Sequence, residues 1–196
     1  MVIGDFDSLS GYPIREPAVD ASHAGSQGRA VHVPAASPLG AVTGSAVDVV
    51  GVSVPVIRLN CEKNETDTFA AAQEGLKRGY TLFHVYGGTG GRFEHTFANI
   101  QLLAFLSQNH ARGYLFDKDC VMAAITDDCL YFDRQQSGYV SVFSLSERSD
   151  GVFLKGLKYE LDNATVTNVF PIGVSNEFIG VESEIRVARG TILVVW

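Results

Sequence analysis

Asp5 and Asp7 stand two residues apart near the start of the chain, in Gly4-Asp5-Phe6-Asp7-Ser8. On an extended backbone alternate side chains share a side, so both carboxylates project together while Phe6 turns inward. Two hard oxygen ligands on one edge suit Mg2+, which keeps several waters of its own; a plain solvated turn is the alternative. The pair follows the apolar Val2-Ile3, and ligands of open parallel sheets gather beyond the carboxyl ends of strands. Asp67 adds a carboxylate at a helix start, where capping free N–H groups is one reading. If the short strand at Val56, Ile57 and Leu59 lies beside Met1–Ile3, Asp67 reaches the same crevice. Three like charges at close range disfavour one another's ionised forms, and a cation relieves them.

Gly87-Gly88-Thr89-Gly90-Gly91-Arg92 joins a predicted strand to a predicted helix. Without Cβ atoms the backbone N–H groups can approach an anion, and the helix N-terminus adds positive potential. A phosphate seat follows, with a mobile turn as the alternative. No Lys-Ser or Lys-Thr comes after it, so it is not a Walker loop, and Phe93 stands where the dinucleotide fingerprint has its third glycine. Arg92 supplies a fixed positive charge with a planar fork for phosphate oxygens. Glu94 either holds Arg92 or touches a nucleotide. His95 shares a helix face with Asn99 and reads as a satisfied polar residue or as a proton shuttle.

The elements that must position these groups are uneven along the chain. Five of the six prolines lie between Pro13 and Pro55, and no helical or strand period persists from residue 10 to 54, which reads as a long loop or insertion. Val56, Ile57 and Leu59 form a short strand. A helix runs from Asp67 to about Arg78 with Phe69, Ala72, Gln73 and Leu76 on one side, and Gly79 stops it. A strand at Thr81 to Tyr86 precedes the glycine loop. The next helix, Phe93 to about Asn109, should bury Phe93, Phe97, Ile100 and Ala104 and turn Glu94, His95 and Asn99 elsewhere.

After Gly113 the period switches to two. Strands are expected at residues 121–126, 130–132, 139–145, 151–157, 165–170, 182–188 and 191–195, separated by Asp-Asp, Ser-Gly, Asp-Gly and Arg-Gly turns. The pattern gives an α/β domain over residues 1–115, whose parallel sheet is truncated and Rossmann-like, followed by an all-β sandwich over 116–196.

With 46% hydrophobic and 19% charged residues in 196, the chain reads as globular. Its net charge of −7 argues against gripping nucleic acid or anionic membrane by general electropositivity, so any phosphate must be held locally. No apolar run approaches the roughly 20 residues that span a bilayer. Cys61, Cys120 and Cys129 have no metal-ligand spacing and suit a reducing compartment, which points to the cytoplasm. Asn64-Glu65-Thr66 and Asn163-Ala164-Thr165 match the glycosylation pattern, one that is common by chance. A strand stub opening straight onto an acidic motif implies further chain upstream of Met1.

Taken in order, Gly4-Asp5-Phe6-Asp7-Ser8, Thr66-Asp67, Gly87 to His95 with Ala98-Asn99, and Ser175-Asn176-Glu177-Phe178 resemble thiamin pyrophosphokinase. The resemblance covers most of the chain from Val56 onward plus the first nine residues. It implies a dimer in which thiamin binds between the sandwich of one subunit and the α/β domain of the other. Asp5, Asp7 and Asp67 would hold Mg2+ on the phosphates of ATP, and Arg92 would contact those phosphates. Lys63, Thr66, Gly88, Gly90, Gly91 and Glu94 would fall at the nucleotide site, and Ser175 and Asn176 would meet thiamin. Residues alone read Ser175-Asn176 as a turn between strands.

Three departures from the family pattern stand out. An earlier strand and helix with a further Asp-Gly motif are absent, Asn64 replaces a usual carboxylate, and residues 10–54 exceed the usual connection. The implied reaction is attack by the thiamin hydroxyl on the β-phosphorus of ATP, with AMP leaving. A rival is a non-catalytic thiamin- or nucleotide-binding dimerisation module, and another is a phosphotransferase acting on a different heterocyclic alcohol.

Overall fold

The computed structural model describes residues 65–196 and, before them, the strand residues β1 (Val42–Thr43), β2 (Val47–Val49), β3 (Val52–Val54) and β4 (Ile57–Arg58). Asp5, Asp7 and Lys63 lie outside the described residues, as does the expected strand at Met1–Ile3. β1 pairs antiparallel with β4, and β2 with β3. Short strands therefore occur between residues 42 and 54, where the proline-rich texture reads as loop: pairs this short carry too few side chains to show a period. By contacts the chain divides into Met1–Asp67 and Thr68–Trp196.

Helix α1 (Asp67–Lys77) begins on an acidic residue and ends on a basic one, both favourable to the helix dipole. Gly79 follows with φ +84, a left-handed stop that only glycine takes without strain. β5 (Leu82–Tyr86) leads into the glycine loop and α2 (Phe93–Gln108). β6 (Arg112–Phe116) then pairs parallel with β5, Leu82 opposite Arg112 and Tyr86 opposite Phe116. The eight strands beyond, all paired antiparallel, are β7 (Val121–Thr126), β8 (Cys129–Phe132), β9 (Tyr139–Ser144), β10 (Arg148–Lys155), β11 (Leu161–Thr167), β12 (Gly173–Glu177), β13 (Ser183–Arg189) and β14 (Thr191–Val195).

The α/β half and the sandwich share one mixed six-stranded sheet in the order β12-β9-β14-β7-β6-β5, and the sandwich's second sheet is β11-β10-β13-β8. Alternation along each strand sends residues to opposite faces. Ile192 and Val194 of β14 join Ile125, Val140 and Val142 against Val152, Leu154, Ile185 and Val187 of the second sheet. Leu193 turns the other way, onto Leu103, Leu115 and Ala124 beneath α2. α1 and α2 close a further cluster through Ala72, Leu102, Leu106 and Ala111, with Phe69, Leu76, Phe83 and Phe105 at its rim.

Three expectations need correction. α2 buries Asn99, Leu102, Leu103 and Leu106, while Phe93 and Phe97 are 78% and 51% exposed. The helix carries apolar residues on more than one side, so periodicity does not single out the buried face. β12 falls where a turn between strands is expected. Asp150-Gly151 is a bulge inside β10 and not a turn: the register against β11 slips between Ser149 and Val152, and Gly151 has φ +64.

That bulge presents Asp150 to Arg148, Arg189 and Thr165, which donate to its carboxylate at 2.7, 2.6 and 2.7 Å. The hydrogen bonds from Arg189, Thr165 and Arg148 hold the Asp150 carboxyl far below the usual carboxylate range. A depressed native pKa contributes stability that is present above the unfolded value, near 3.9, and is lost as pH falls through the native one. Wild type should therefore exceed Asp150→Asn in unfolding free energy by a constant amount above about pH 5. Denaturant titrations should show that gap closing on further acidification, and a gap that widens would contradict the network.

Candidate active site

The glycine loop leaves the carboxyl end of β5, beside the carboxyl end of its parallel neighbour β6. Ligands of open α/β sheets bind at such an edge, because the helix that follows each strand there starts facing it. Gly87 and Gly90 take φ +69 and +81, conformations that L side chains rarely adopt. The glycines do different work. A Cβ on Gly88 would lie 2.7 Å from Leu115 Cδ1 and 2.8 Å from Asn99 Nδ2, so this residue lets the loop sit down on the sheet and helix. A Cβ on Gly90 or Gly91 would meet nothing within 4 Å, so the loop's other side is open.

Two side chains brace the loop. Asn99, 7% exposed, donates from Nδ2 to the Gly88 carbonyl at 2.8 Å. Thr89 Oγ1 donates at 2.7 Å to Asp117 Oδ1, which also accepts the Lys118 N–H at 2.8 Å. Asp117 directly follows β6, so both parallel strands steady the loop at their carboxyl ends. Sequence reasoning turns Asn99 away from the core and does not single out Asp117. The only signal for Asn99 is its place in the Ala98-Asn99 motif, one helical turn after His95.

Arg92 is the N-cap of α2, with extended backbone at φ −68 and ψ 132 and no side-chain cap bond. The N–H groups of His95 and Thr96 donate to the Arg92 carbonyl at 3.1 and 3.4 Å, which leaves those of Phe93 and Glu94 without an intrahelical partner at the helix start. The Arg92 side chain, 72% exposed, lies back on its own helix, with Nε 3.3 Å from Glu94 Oε1 and Nη2 bonded to His95 Nε2. Glu94 and His95 thus hold Arg92. An ion pair this exposed is worth about 0–1 kcal/mol, so phosphate can take the guanidinium from Glu94 at small cost.

Asp67 is exposed at the first position of α1, directly after the half-buried Thr66. With Asp5 and Asp7 outside the described residues, the proposed Mg2+ ligands are represented by Asp67 alone. Among the described residues no group of three His, Cys, Asp or Glu side chains is placed to hold a metal.

Ser175 and Asn176 lie in β12, at the far edge of the six-stranded sheet from β5. Five inter-strand gaps of about 4.8 Å put the two edges roughly 24 Å apart. Gly88, Gly90, Gly91, Arg92 and Glu94 therefore come together at one edge, while Ser175 and Asn176 stand at the other. Ser175 takes φ +59, a strained value for a side-chain-bearing residue, and its N–H donates to Ser141 Oγ at 3.1 Å. Asn176 is 3% exposed.

Residues 47–115 match the family model of the thiamin pyrophosphokinase catalytic domain, and residues 129–192 that of the thiamin pyrophosphokinase vitamin B1 binding domain. A thiamine pyrophosphokinase of Bacillus subtilis is 27% identical over 135 residues, which are 68% of this chain and 63% of that protein. The crystal structure of thiamine pyrophosphokinase from Bacillus subtilis superposes with TM-score 0.63 at 26% identity, over 68% of this chain and 63% of that one. A thiamin pyrophosphokinase family protein from Enterococcus faecalis gives TM-score 0.61 at 28% identity, over 71% and 66%. The chain spans somewhat less than two thirds of the length of the Bacillus relative.

The loop geometry separates its glycines by experiment. Gly88→Ala should cost about 1–3 kcal/mol of stability through overpacking against Leu115 and Asn99. Gly91→Ala, with room for its Cβ and no left-handed backbone to strain, should melt like wild type and bind ATP more weakly. Thermal melts alongside ATP titrations check both, and Gly91→Ala with undiminished ATP affinity would remove the cradle role.

Proposed function

We propose that this chain, which belongs to the thiamin pyrophosphokinase family, transfers a pyrophosphoryl group from ATP to thiamin. The observation that carries the reading is the loop Gly87–Arg92: open above Gly90 and Gly91, braced by Asn99 and Asp117, and set against an uncapped helix start with Arg92 alongside. Those are the parts needed to seat a polyphosphate without lysine.

In the proposed reaction the hydroxyethyl oxygen of thiamin attacks the β-phosphorus of ATP in line. The bond from that phosphorus to the oxygen bridging to the α-phosphorus breaks, AMP leaves with the bridging oxygen, and the hydroxyl gives up its proton. Phosphoryl-type transfer asks a protein mainly for alignment and charge neutralisation. Gly88 sets the loop, the backbone at Gly90 and Gly91 holds phosphate oxygens, and Arg92 swings from Glu94 to neutralise charge. Lys63, Thr66 and Glu94 complete the nucleotide side, and Ser175 and Asn176 form the thiamin side. Carboxylates are suitable hard donors for magnesium, which Asp5, Asp7 and Asp67 would hold and which, when bound, supplies charge neutralisation at the phosphates.

The distance between sheet edges supports a homodimer. Groups roughly 24 Å apart in one chain cannot meet on one substrate, whereas a second copy can set its β12 edge beside the first copy's loop. We assign the nucleotide work to residues 1–115 and the thiamin and dimer contacts to 116–196. The cytoplasm fits two described cysteines, Cys120 and Cys129, that form no disulfide. No described helix is long and apolar enough to cross a membrane.

Purified chain given thiamin, ATP and Mg2+ should release AMP and thiamin diphosphate in equal amounts, measured by chromatography. Thiamin bound without AMP release would leave a binding module, and turnover of another heterocyclic alcohol in its place would change the substrate. Asp7→Asn should lower turnover by roughly 10²-fold or more with an unchanged melt; near-native turnover would refute its role at the metal.

A further inference from the structure

The carbonyl of Gly88 is held inside the protein. The buried Asn99 donates to it from Nδ2 at 2.8 Å, and Leu115 lies close against the same glycine. In a trans peptide the C=O of one residue and the N–H of the next point in opposite directions. Among the described residues no peptide bond is cis. A Gly88 carbonyl turned in toward α2 therefore turns the Thr89 N–H out of the fold.

That N–H has no partner to lose. Among the described residues no group accepts the N–H of Thr89, Gly90 or Gly91, so three successive donors are free where the loop is open. Successive free N–H groups around a left-handed residue, here Gly90 with φ +81, make a concave donor set suited to an anion.

The side chain of Thr89 restrains the same peptide from the other end. Thr89 Oγ1 gives its one hydrogen to Asp117 Oδ1 at 2.7 Å, which leaves the hydroxyl nothing to donate to phosphate and ties the residue to the end of β6. Asp117 Oδ1 also accepts the Lys118 N–H at 2.8 Å, so the carboxylate is itself fixed. Exchanging carbonyl and N–H would need a half-turn of the Gly88–Thr89 peptide, and that carries Thr89 toward positive φ. Thr89 is not among the residues at positive φ, and a β-branched side chain resists going there. Gly88 imposes no such limit, so the Asn99 amide supplies the restraint on its side of the peptide.

We infer that the Thr89 N–H is a phosphate donor of the loop and that Asn99 is a positioning residue, whose buried amide aims that N–H by holding the Gly88 carbonyl. Granted the ATP-binding role proposed above, Asn99 touches no substrate and acts through one peptide plane, so the donor is aimed before charge arrives.

Calorimetric titration of the full chain with ATP and, separately, with thiamin tests this. Asn99→Asp keeps the size of the side chain and sets a carboxylate against the Gly88 carbonyl. It should weaken ATP by about tenfold or more, the worth of one hydrogen bond to a charged group, with thiamin affinity unchanged. Asn99→Ala, which removes the donor and adds no charge, should show the same split to a smaller degree. Amide NMR of the wild-type chain reads the donor itself: the Thr89 resonance should shift as ATP and Mg2+ are added. Wild-type ATP affinity in both variants would overturn the inference and leave the proposed function standing, and so would equal losses of ATP and thiamin affinity, the mark of a purely structural role. Should the variants fail to fold, the NMR titration decides, and a Thr89 amide unmoved in the ATP-saturated chain would overturn the inference. A wild-type chain that binds no ATP would overturn both.

Discussion

β14 is the member on which the described structure depends. It pairs with β7 on one side and β9 on the other, so both rows of its backbone groups are used within the sheet. Ile192, Leu193 and Val194 are each 5% exposed or less, and they alternate between the sandwich interior and the floor beneath α2. Burying side chains of this size is worth about 1.5–3 kcal/mol each, so one five-residue strand holds two cores together. The helix that starts at the glycine loop and the strands that close the sandwich therefore share one sheet.

That continuity has a functional cost and a functional use. A shared sheet fixes the glycine loop at one edge and Ser175 at the other, which a flexible pair of domains would not do. The nucleotide edge is built from parallel strands, whose carboxyl ends present loops and helix starts to anions. The opposite edge is built from antiparallel strands, where a bulge near Ser175 shapes a surface from backbone detail. The proposed chemistry places a phosphate donor on the first and an aromatic alcohol on the second, and two copies of the chain are the simplest way to join them.

Much of the fold is legible in the sequence because its signals are local. The 3.6-residue pattern bounded by Asp67 and Gly79, the glycine cluster after Tyr86, the period-two run at Tyr139–Ser144 and the apolar run at Thr191–Val195 each fall where the structure has the element. What is not legible depends on partners distant in sequence. β6 is buried on both faces and shows no alternation. β12 carries Ser, Asn and Glu because it is an edge strand whose inward Asn176 bonds backbone, and nothing local distinguishes that from a turn. Phe93 and Phe97 look like core residues, yet the face that packs is the one with Asn99, since its amide satisfies the Gly88 carbonyl. At the site, the glycine loop and Arg92 are legible from types and spacing, whereas the braces on the loop are not. Asn99 and Asp117 are common residues whose partners lie 11 and 28 positions away.

The central claim is that loop and β12 serve the same reaction from different subunits, and subunit mixing tests it most directly. Arg92→Ala and Ser175→Ala chains, each made separately and found to have little activity, are unfolded together in equal amounts, refolded and assayed for thiamin-dependent AMP release. Half of the resulting dimers should be mixed, each with one site free of either change, so activity should return to about a quarter of wild type. A mixture no more active than its two parents would contradict the account.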